Sequence, residues 1–143
     1  MSSTPEILGW LIKRMQHGHH RALDAGLAAL DISLVQWNAL REIERHPGCS
    51  QHQLAEHTFN SDQAFGTLVT RLSARGLIER GPCNGRATVH RLTKKGKALL
   101  SDGQQVMSQV VGESFEPLKK SERDELARLL TKILDARAAR CTT

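Results

Sequence analysis

The chain has 143 residues, of which 39% are hydrophobic, 24% charged and only 3% aromatic. This composition predicts a folded domain with an aliphatic core and excludes an intrinsically disordered chain. No stretch approaches the roughly 18 apolar residues of a membrane span, and the N-terminus lacks the apolar segment of a signal peptide, so we expect a cytoplasmic protein without a membrane partner. Cys49, Cys83 and Cys141 show no zinc-ligand spacing, so neither a metal nor a cofactor is expected.

The positive charge is concentrated in one segment of the chain. The net charge is +5, and residues 61–97 contain eight basic and two acidic side chains, whereas the remainder contains twelve basic and thirteen acidic ones. Such a cluster is typical of a protein that binds a polyanion, although a solvated surface would have the same composition. Charge alone therefore favours neither interpretation.

Capping residues predict two helices in the first third of the chain. Thr4 can accept hydrogen bonds from free amide groups, and Pro5 fits the first position of a helix. Ser33 and Gln36 have the spacing of a capping box, which predicts a second helix that ends at residues 46–48, His-Pro-Gly.

Two further helices are predicted with a tight turn between them. Ser50 begins a short helix, and Ser61 begins a longer one that ends at Gly76, which is placed for a left-handed cap. The apolar positions of the longer helix are Phe65, Leu68, Val69 and Leu72. This order predicts a helix-turn-helix, whose second helix enters the DNA major groove.

After Gly76 the periodicity changes to that of strands. Residues 77–80 and 88–92 each predict a short strand, and the turn-forming segment between them closes a hairpin. Thr93 is predicted to cap a long helix, and Ser121 to cap a final helix after the break at Pro117. One stripe of the final helix carries Leu126, Leu129, Leu130, Ile133 and Leu134.

The outward face of the second helix of the helix-turn-helix is the predicted DNA-reading surface. Gln63 can bind adenine through two hydrogen bonds, and Thr67 can contact a phosphate or a thymine methyl. Gly66 costs about 1 kcal/mol in a helix relative to alanine, and close approach to DNA would explain it. The alternative is the polar face of an ordinary helical bundle. The predicted DNA contacts on this helix are Asp62, Gln63, Gly66, Thr67, Thr70 and Arg71.

Further DNA contacts are predicted outside that helix. Arg86 at the hairpin tip, beside Asn84, can reach the narrow minor groove. Lys94 and Lys95 begin a helix, and their positive charges are unfavourable beside the positive end of its dipole. DNA phosphates lying across the start of this helix would offset that repulsion. The alternative is that the two lysines are ordinary surface residues. Ser50 and Gln51, at the start of the short helix, complete the predicted set.

From about residue 34 to residue 100 the chain resembles the MarR family of winged-helix regulators. The matching segments are Gln36-Trp37, 46–51, Leu54-Ala55, Arg71-Leu72, 75–80 and 92–96. The family's wing has the pattern Asp-x-Arg, five residues, Leu-Thr-x-x-Gly. Arg86 and Leu92 keep that spacing, but Asn84 replaces the usual Asp, so the salt bridge that orients the wing arginine becomes a neutral hydrogen bond.

The resemblance implies a mainly α fold with a small β-hairpin wing and a homodimeric regulator, expected to be a repressor, that binds a pseudo-palindromic operator. Residues 33–97 would form the winged helix-turn-helix DNA-binding domain, 1–32 the N-terminal dimerisation helix and 98–143 the C-terminal dimerisation helices. The apolar stripe of the final helix supports dimerisation independently, because each exposed aliphatic forgoes roughly 1.5–3 kcal/mol of burial. Packing of that stripe against the first helix of the same chain is the alternative.

Many members of that family bind a phenolic or aromatic carboxylate effector between two domains. Trp10, His17 and Trp37 are the candidates for such a cleft, with core packing as the alternative. Cys49 and Cys83 are candidate redox sensors, although Cys49 also fits a buried structural thiol.

Several other interpretations are less favoured. His17 lies near His19 and His20 on the first helix, but adjacent histidines point in different directions and do not readily share a metal ion, and His90 is expected on the surface of a wing strand. No phosphate-binding loop, zinc-protease motif or nucleophile elbow is present, so the chain is not expected to be an enzyme. A winged-helix protein-interaction module and a non-specific architectural DNA binder remain the alternative functions.

Overall fold

The computed structural model describes residues 2–82 and 88–141, and the fold divides into two compact units, Met1–Val110 and Val111–Thr143. None of the helices in these described ranges combines the length and the hydrophobicity needed to cross a lipid bilayer. In chain order the elements are α1 Pro5–Leu27, a short 3₁₀ turn Ala28–Leu30, α2 Leu34–Arg45, α3 Gln51–His57, α4 Asp62–Ala74, β1 Ile78–Pro82, β2 Thr88–Leu92, α5 Lys94–Phe115 and α6 Lys120–Cys141.

The predicted caps form where the sequence places them. The Thr4 hydroxyl oxygen accepts a hydrogen bond from the Ile7 amide at 3.4 Å, and Ser33 and Ser50 each complete a capping box. Gly76 has a φ of +70°, the left-handed conformation predicted for it after α4. The starts of α1, α2 and α3 and the end of α4 are therefore local properties of the chain.

The start of α6 differs from the prediction. Ser121 lies inside the helix, which begins at Lys120. The capping interaction is made instead by Glu122, whose Oε2 accepts a hydrogen bond from the Lys119 amide at 2.7 Å. A carboxylate three residues along reaches the cap amide as well as a serine would, and its charge also favours the helix N-terminus.

The two strands form an antiparallel hairpin next to the helix-turn-helix. Ile78 pairs with Leu92, and Arg80 pairs with His90. Both Ile78 and Leu92 are buried, so one face of the hairpin packs on the core. The predictions for Cys83, Asn84 and Arg86 concern the hairpin tip and lie outside the described residues.

The core of the first unit is built around α2. The largest fully buried side chains of this core are Trp37, Phe65, Leu27, Leu40, Leu54, Leu72 and Leu77. The Trp37 Nε1 donates a hydrogen bond to the Leu100 carbonyl at 3.2 Å, and its ring lies against Gly103, where a side chain would collide with it. This close approach fixes α5 against α2 and holds the winged module together.

Most of the exposed large apolar residues lie on two helices, and the exceptions are Val35 on α2 and Phe59 in the turn after α3. On α1 they are Ile7, Leu8, Trp10, Leu11, Ile12 and Met15. On α6 they are Leu129, Leu130, Ile133 and Leu134, and Leu126 beside them is half-buried. The apolar stripe predicted for the final helix therefore has four strongly exposed members within the single chain.

Candidate DNA-binding surface

The helix-turn-helix is held by contacts between α3 and α4 and within the turn that joins them. His52 Nδ1 lies 2.8 Å from Asp62 Oδ1, which links the two helices. In the turn, the Thr58 hydroxyl donates to the Leu54 carbonyl at 2.8 Å, and the Asn60 amide donates to the Ala55 carbonyl at 2.9 Å. These contacts orient α4 relative to α3.

The face of α4 that was predicted to meet DNA is exposed. Phe65, Leu68, Val69 and Leu72 are buried, and the polar side chains between them point to solvent. The exposed members of the predicted set are Asp62, Gln63, Thr67, Thr70 and Arg71. The helix therefore presents one continuous polar ridge, which is available to a partner.

Gly66 lies close to α3 within the helix-turn-helix. A Cβ at this position would lie 3.2 Å from the Gln51 Nε2, at the end of a flexible side chain. The predicted close approach of Gly66 to DNA stays a prediction beside this contact.

The two threonines of the ridge already use their hydroxyl protons. Thr67 donates to the Gln63 carbonyl at 3.1 Å, and Thr70 donates to the Gly66 carbonyl at 3.0 Å. A phosphate accepts hydrogen bonds but cannot donate them, so neither hydroxyl can bind one without breaking its helix contact. The exposed methyl group of Thr67 is better suited to a thymine methyl than to a phosphate.

Gln51 and His90 connect α3 to the wing. His90 Nε2 lies 3.3 Å from Gln51 Oε1, and His90 is buried, which corrects the expectation of a surface residue. Burial, and to a smaller extent the charge of Arg80, lowers the pKa of His90. A neutral ring donating from Nε2 to the amide oxygen fits this contact, so Gln51 positions the wing as well as the helix.

The basic residues at the start of α5 have distinct environments. Lys95 Nζ donates to the Arg75 carbonyl at 3.0 Å and so caps the C-terminal end of α4. Lys94 and Lys95 are both exposed, so the contact gives Lys95 a structural role without removing it from the predicted DNA contacts. Ser50 uses its hydroxyl oxygen to accept from the Gln53 amide at 3.1 Å, which leaves its proton free to donate.

Among the described residues, the candidate effector and redox side chains differ in burial. Trp37 is fully buried in the core, which favours packing over an open cleft, whereas Trp10 and His17 are exposed on α1. Cys49 is a half-buried free thiol. A groove that the sequence did not indicate lies beside α2 and α5, where its lining includes Arg41, Arg45, Lys97 and Leu100.

The His52–Asp62 contact gives a testable pH effect. The hydrogen bond that His52 donates to Asp62, then the charge of Asp62 and that of Glu56, raises the pKa of His52 above its ordinary value of 6.5. The pKa of His52 is therefore higher in the folded protein than in the unfolded chain. At pH values below the unfolded-state pKa, the contact contributes its full stabilisation. This contribution is lost as the pH rises through the folded-state pKa.

We expect Asp62→Asn to lower the pKa of His52 towards 6.5, as followed by the NMR titration of its ring protons. Glu56→Gln is the matched control, and its effect should be smaller because Glu56 supplies only the weakest of the three interactions that raise this pKa. An unchanged His52 titration in Asp62→Asn would show that α3 and α4 are not joined by this pair.

A helix-turn-helix with an exposed polar second helix, followed directly by a two-stranded hairpin, defines a winged helix-turn-helix protein. The model of the MarR family matches residues 30–87. The chain is 27% identical over 128 residues to the HTH-type transcriptional repressor Rv2887 of Mycobacterium tuberculosis, a match that covers 88% of this chain and 92% of the repressor. The family model and the repressor are both similar to this chain, in agreement with the resemblance to the MarR family found in the sequence.

Solved structures show the same fold. The crystal structure of Rv2887 in complex with DNA matches with a TM-score of 0.75 and 26% identity, covering 92% of this chain and 98% of that one. Its complex with salicylic acid matches with a TM-score of 0.75, 27% identity and the same coverage. The oxidised form of MarR from E. coli matches with a TM-score of 0.81 and 28% identity over 93% of this chain and 96% of that one. The predicted mainly α fold with a hairpin wing is confirmed.

Proposed function

We propose that the chain is a sequence-specific DNA-binding repressor of transcription that acts as a homodimer and is released from its operator by a small aromatic carboxylate. The observation that carries this proposal is the exposed polar ridge of α4, set on a buried apolar face and flanked by a wing. The complex of Rv2887 with DNA supports it. The proposed role is regulatory rather than catalytic.

The proposed division of labour follows the predicted domains. Residues 33–97 bind DNA, and residues 1–32 and 98–143 form the dimer. The exposed aliphatic side chains of α1 and α6 support the dimer, because a monomer would leave them in contact with water. Twofold symmetry would set two copies of α4 roughly 34 Å apart, one turn of B-form DNA.

The groove beside α2 and α5 is the proposed effector site. It has a volume of about 590 Å³, and its lining contains three cations, Arg41, Arg45 and Lys97, against one carboxylate, Glu44, beside the apolar side chain of Leu100. A carboxylate on an aromatic ring fits this combination, and the salicylic acid complex of Rv2887 supports the ligand class. Trp10 and His17 are exposed on α1 and do not line this groove in the single chain, so the proposed site does not include them.

The proposed function is tested by binding to a duplex that the wild-type protein selects from a randomised pool, measured by fluorescence anisotropy. We expect Gln63→Ala and Thr67→Ala to lose preference at particular base pairs, with a cost of about 1–3 kcal/mol for a lost base contact. We expect Arg86→Ala to weaken binding on all sequences and to reduce the salt slope by about one. Gln16→Ala, an exposed position on α1, is the matched control.

Other outcomes distinguish the alternatives. An absence of duplex binding would favour a protein-interaction module, and equal affinity for selected and random duplexes would favour an architectural protein. Equal, sequence-independent losses from all three substitutions would contradict the proposed roles of the ridge and the wing. Added salicylate should weaken binding of the wild-type protein to the selected duplex.

A further inference from the structure

Three side chains with metal-binding atoms converge where α2 ends and α3 begins and ends. One ring nitrogen each of His46 and His57 and the Sγ of Cys49 all lie within 4.8 Å of one another. His46 directly follows α2, Cys49 lies in the connection to α3, and His57 is the last residue of α3. We propose that these three residues bind a Zn²⁺ ion.

The connection between the helices preorganises two of the ligands. The Cys49 amide donates to the His46 carbonyl at 3.2 Å, and Gly48 between them has a φ of +85°. Proline followed by a glycine with positive φ is the pattern of a type II turn, which brings its first and fourth residues together. Cys49 is therefore held beside His46 before any ion binds.

The ligand atoms must move closer together, and one ring must turn, before they can hold an ion. A tetrahedral zinc site with bonds of roughly 2.0–2.1 Å to nitrogen and 2.3 Å to sulfur has ligand atoms roughly 3.3–3.6 Å apart. The rings of His46 and His57 are now stacked, with centroids 4.1 Å apart and planes inclined by 2°. Lone pairs in parallel planes cannot meet at one ion, so at least one ring must turn about its Cβ–Cγ bond, a torsion with a broad energy minimum.

Glu42 orients one of the ligands. Its Oε2 lies 2.9 Å from His46 Nε2, and its side chain is buried on α2. With Nε2 held by the carboxylate, His46 presents Nδ1 to an ion. A carboxylate paired with the second nitrogen of a metal-binding histidine is the usual support for a zinc ligand.

The ligand set selects the kind of ion. One thiolate and two imidazoles favour zinc and related transition metals over Mg²⁺ and Ca²⁺, which prefer oxygen ligands. Three protein ligands leave a fourth position for water. His46 and Cys49 are half-exposed and His57 is exposed, so an ion can enter from solvent.

Zinc at this position would join the end of α2 to both ends of α3. Since α3 packs on α4, an ion that holds both ends of α3 would stabilise the helix-turn-helix. This inference concerns ion binding alone and can be tested without DNA, so its failure leaves the proposed regulatory function unaffected.

The test is titration of the reduced, chelator-treated protein with Co²⁺, a spectroscopic substitute for Zn²⁺, followed by displacement with Zn²⁺. We expect one ion per chain, a thiolate-to-cobalt charge-transfer band and visible bands typical of tetrahedral cobalt. The charge-transfer band should be absent in Cys49→Ser and present in Cys83→Ser and Cys141→Ser. His57→Gln, an exposed substitution that preserves the core, should weaken Zn²⁺ binding by about tenfold or more, whereas His17→Gln should not change it.

Thermal unfolding provides a second readout. Zn²⁺ should raise the Tm of the wild-type protein, because it binds the folded state, and the rise should be lost in Cys49→Ser and His57→Gln. The proposal is wrong if the wild-type protein shows no saturable binding, if the charge-transfer band survives Cys49→Ser, or if His57→Gln binds and is stabilised like the wild type.

Discussion

A Gly96→Ala variant is expected to be less stable than the wild-type protein by about 3 kcal/mol, the upper part of the usual range for overpacking. Gly96 lies in the first turn of α5, and a Cβ there would collide with the backbone carbonyl of Leu77. That carbonyl accepts a hydrogen bond from the Thr93 amide at 3.0 Å, so it cannot turn away without breaking the contact that joins α5 to β1. Urea unfolding followed by circular dichroism measures the loss.

Gly112→Ala is the matched control for this substitution. It lies on the same helix, and a Cβ at Gly112 meets nothing within 4 Å. Without a clash, alanine should stabilise the helix by about 0.5–1 kcal/mol relative to glycine. If Gly96→Ala proved as stable as Gly112→Ala, the close packing of α5 on β1 would be refuted.

Ile133→Asp is expected to dissociate the proposed dimer. Ile133 is 57% exposed in the single chain, and burial in an interface would remove it from water in both subunits. Losing roughly 1.5–3 kcal/mol at each of two symmetric positions weakens association by about 3–6 kcal/mol, or roughly 10²–10⁴-fold in the dimer Kd. Analytical ultracentrifugation over a range of concentrations measures this, and affinity for the selected duplex should fall with it.

Lys132→Asp controls for the new charge. Lys132 is exposed on the other side of α6, so an aspartate there adds the same side chain outside the apolar stripe. We expect this variant to associate like the wild type. A wild-type protein that stayed monomeric, or an Ile133→Asp variant that remained dimeric, would contradict the role of α6 in dimerisation.

The sequence was sufficient for most of the fold because helix boundaries depend on near neighbours. Ser33 caps the amide of Gln36, three residues away, and Gly76 ends α4 through its own backbone conformation. The buried and exposed faces of α4 followed from the spacing of its apolar residues. The assignment of Ser121 as the cap of α6 was wrong, because Glu122 makes the contact with the Lys119 amide.

The roles of several site residues could not be predicted in this way. Gly66 indicated a close approach to DNA, but only the fold shows that Gln51 lies beside it. His90 lies in an alternating strand pattern that does not say which face is covered, and the fold buries it against Gln51. The groove with Arg41 and Lys97 likewise depends on packing between helices that are far apart in the chain.

The amino-acid sequence by itself determined the order of the helices and strands, most of their limits, the polar ridge of α4 and the resemblance to the MarR family, because each depends on residues within a few positions of one another. Only the tertiary structure decided which side chains meet across elements. His46, Cys49 and His57 match no metal-binding spacing, yet a turn and a short helix bring their ligand atoms within 4.8 Å. Such convergence depends on the path of the chain through space, and that path is set by the packing of the core.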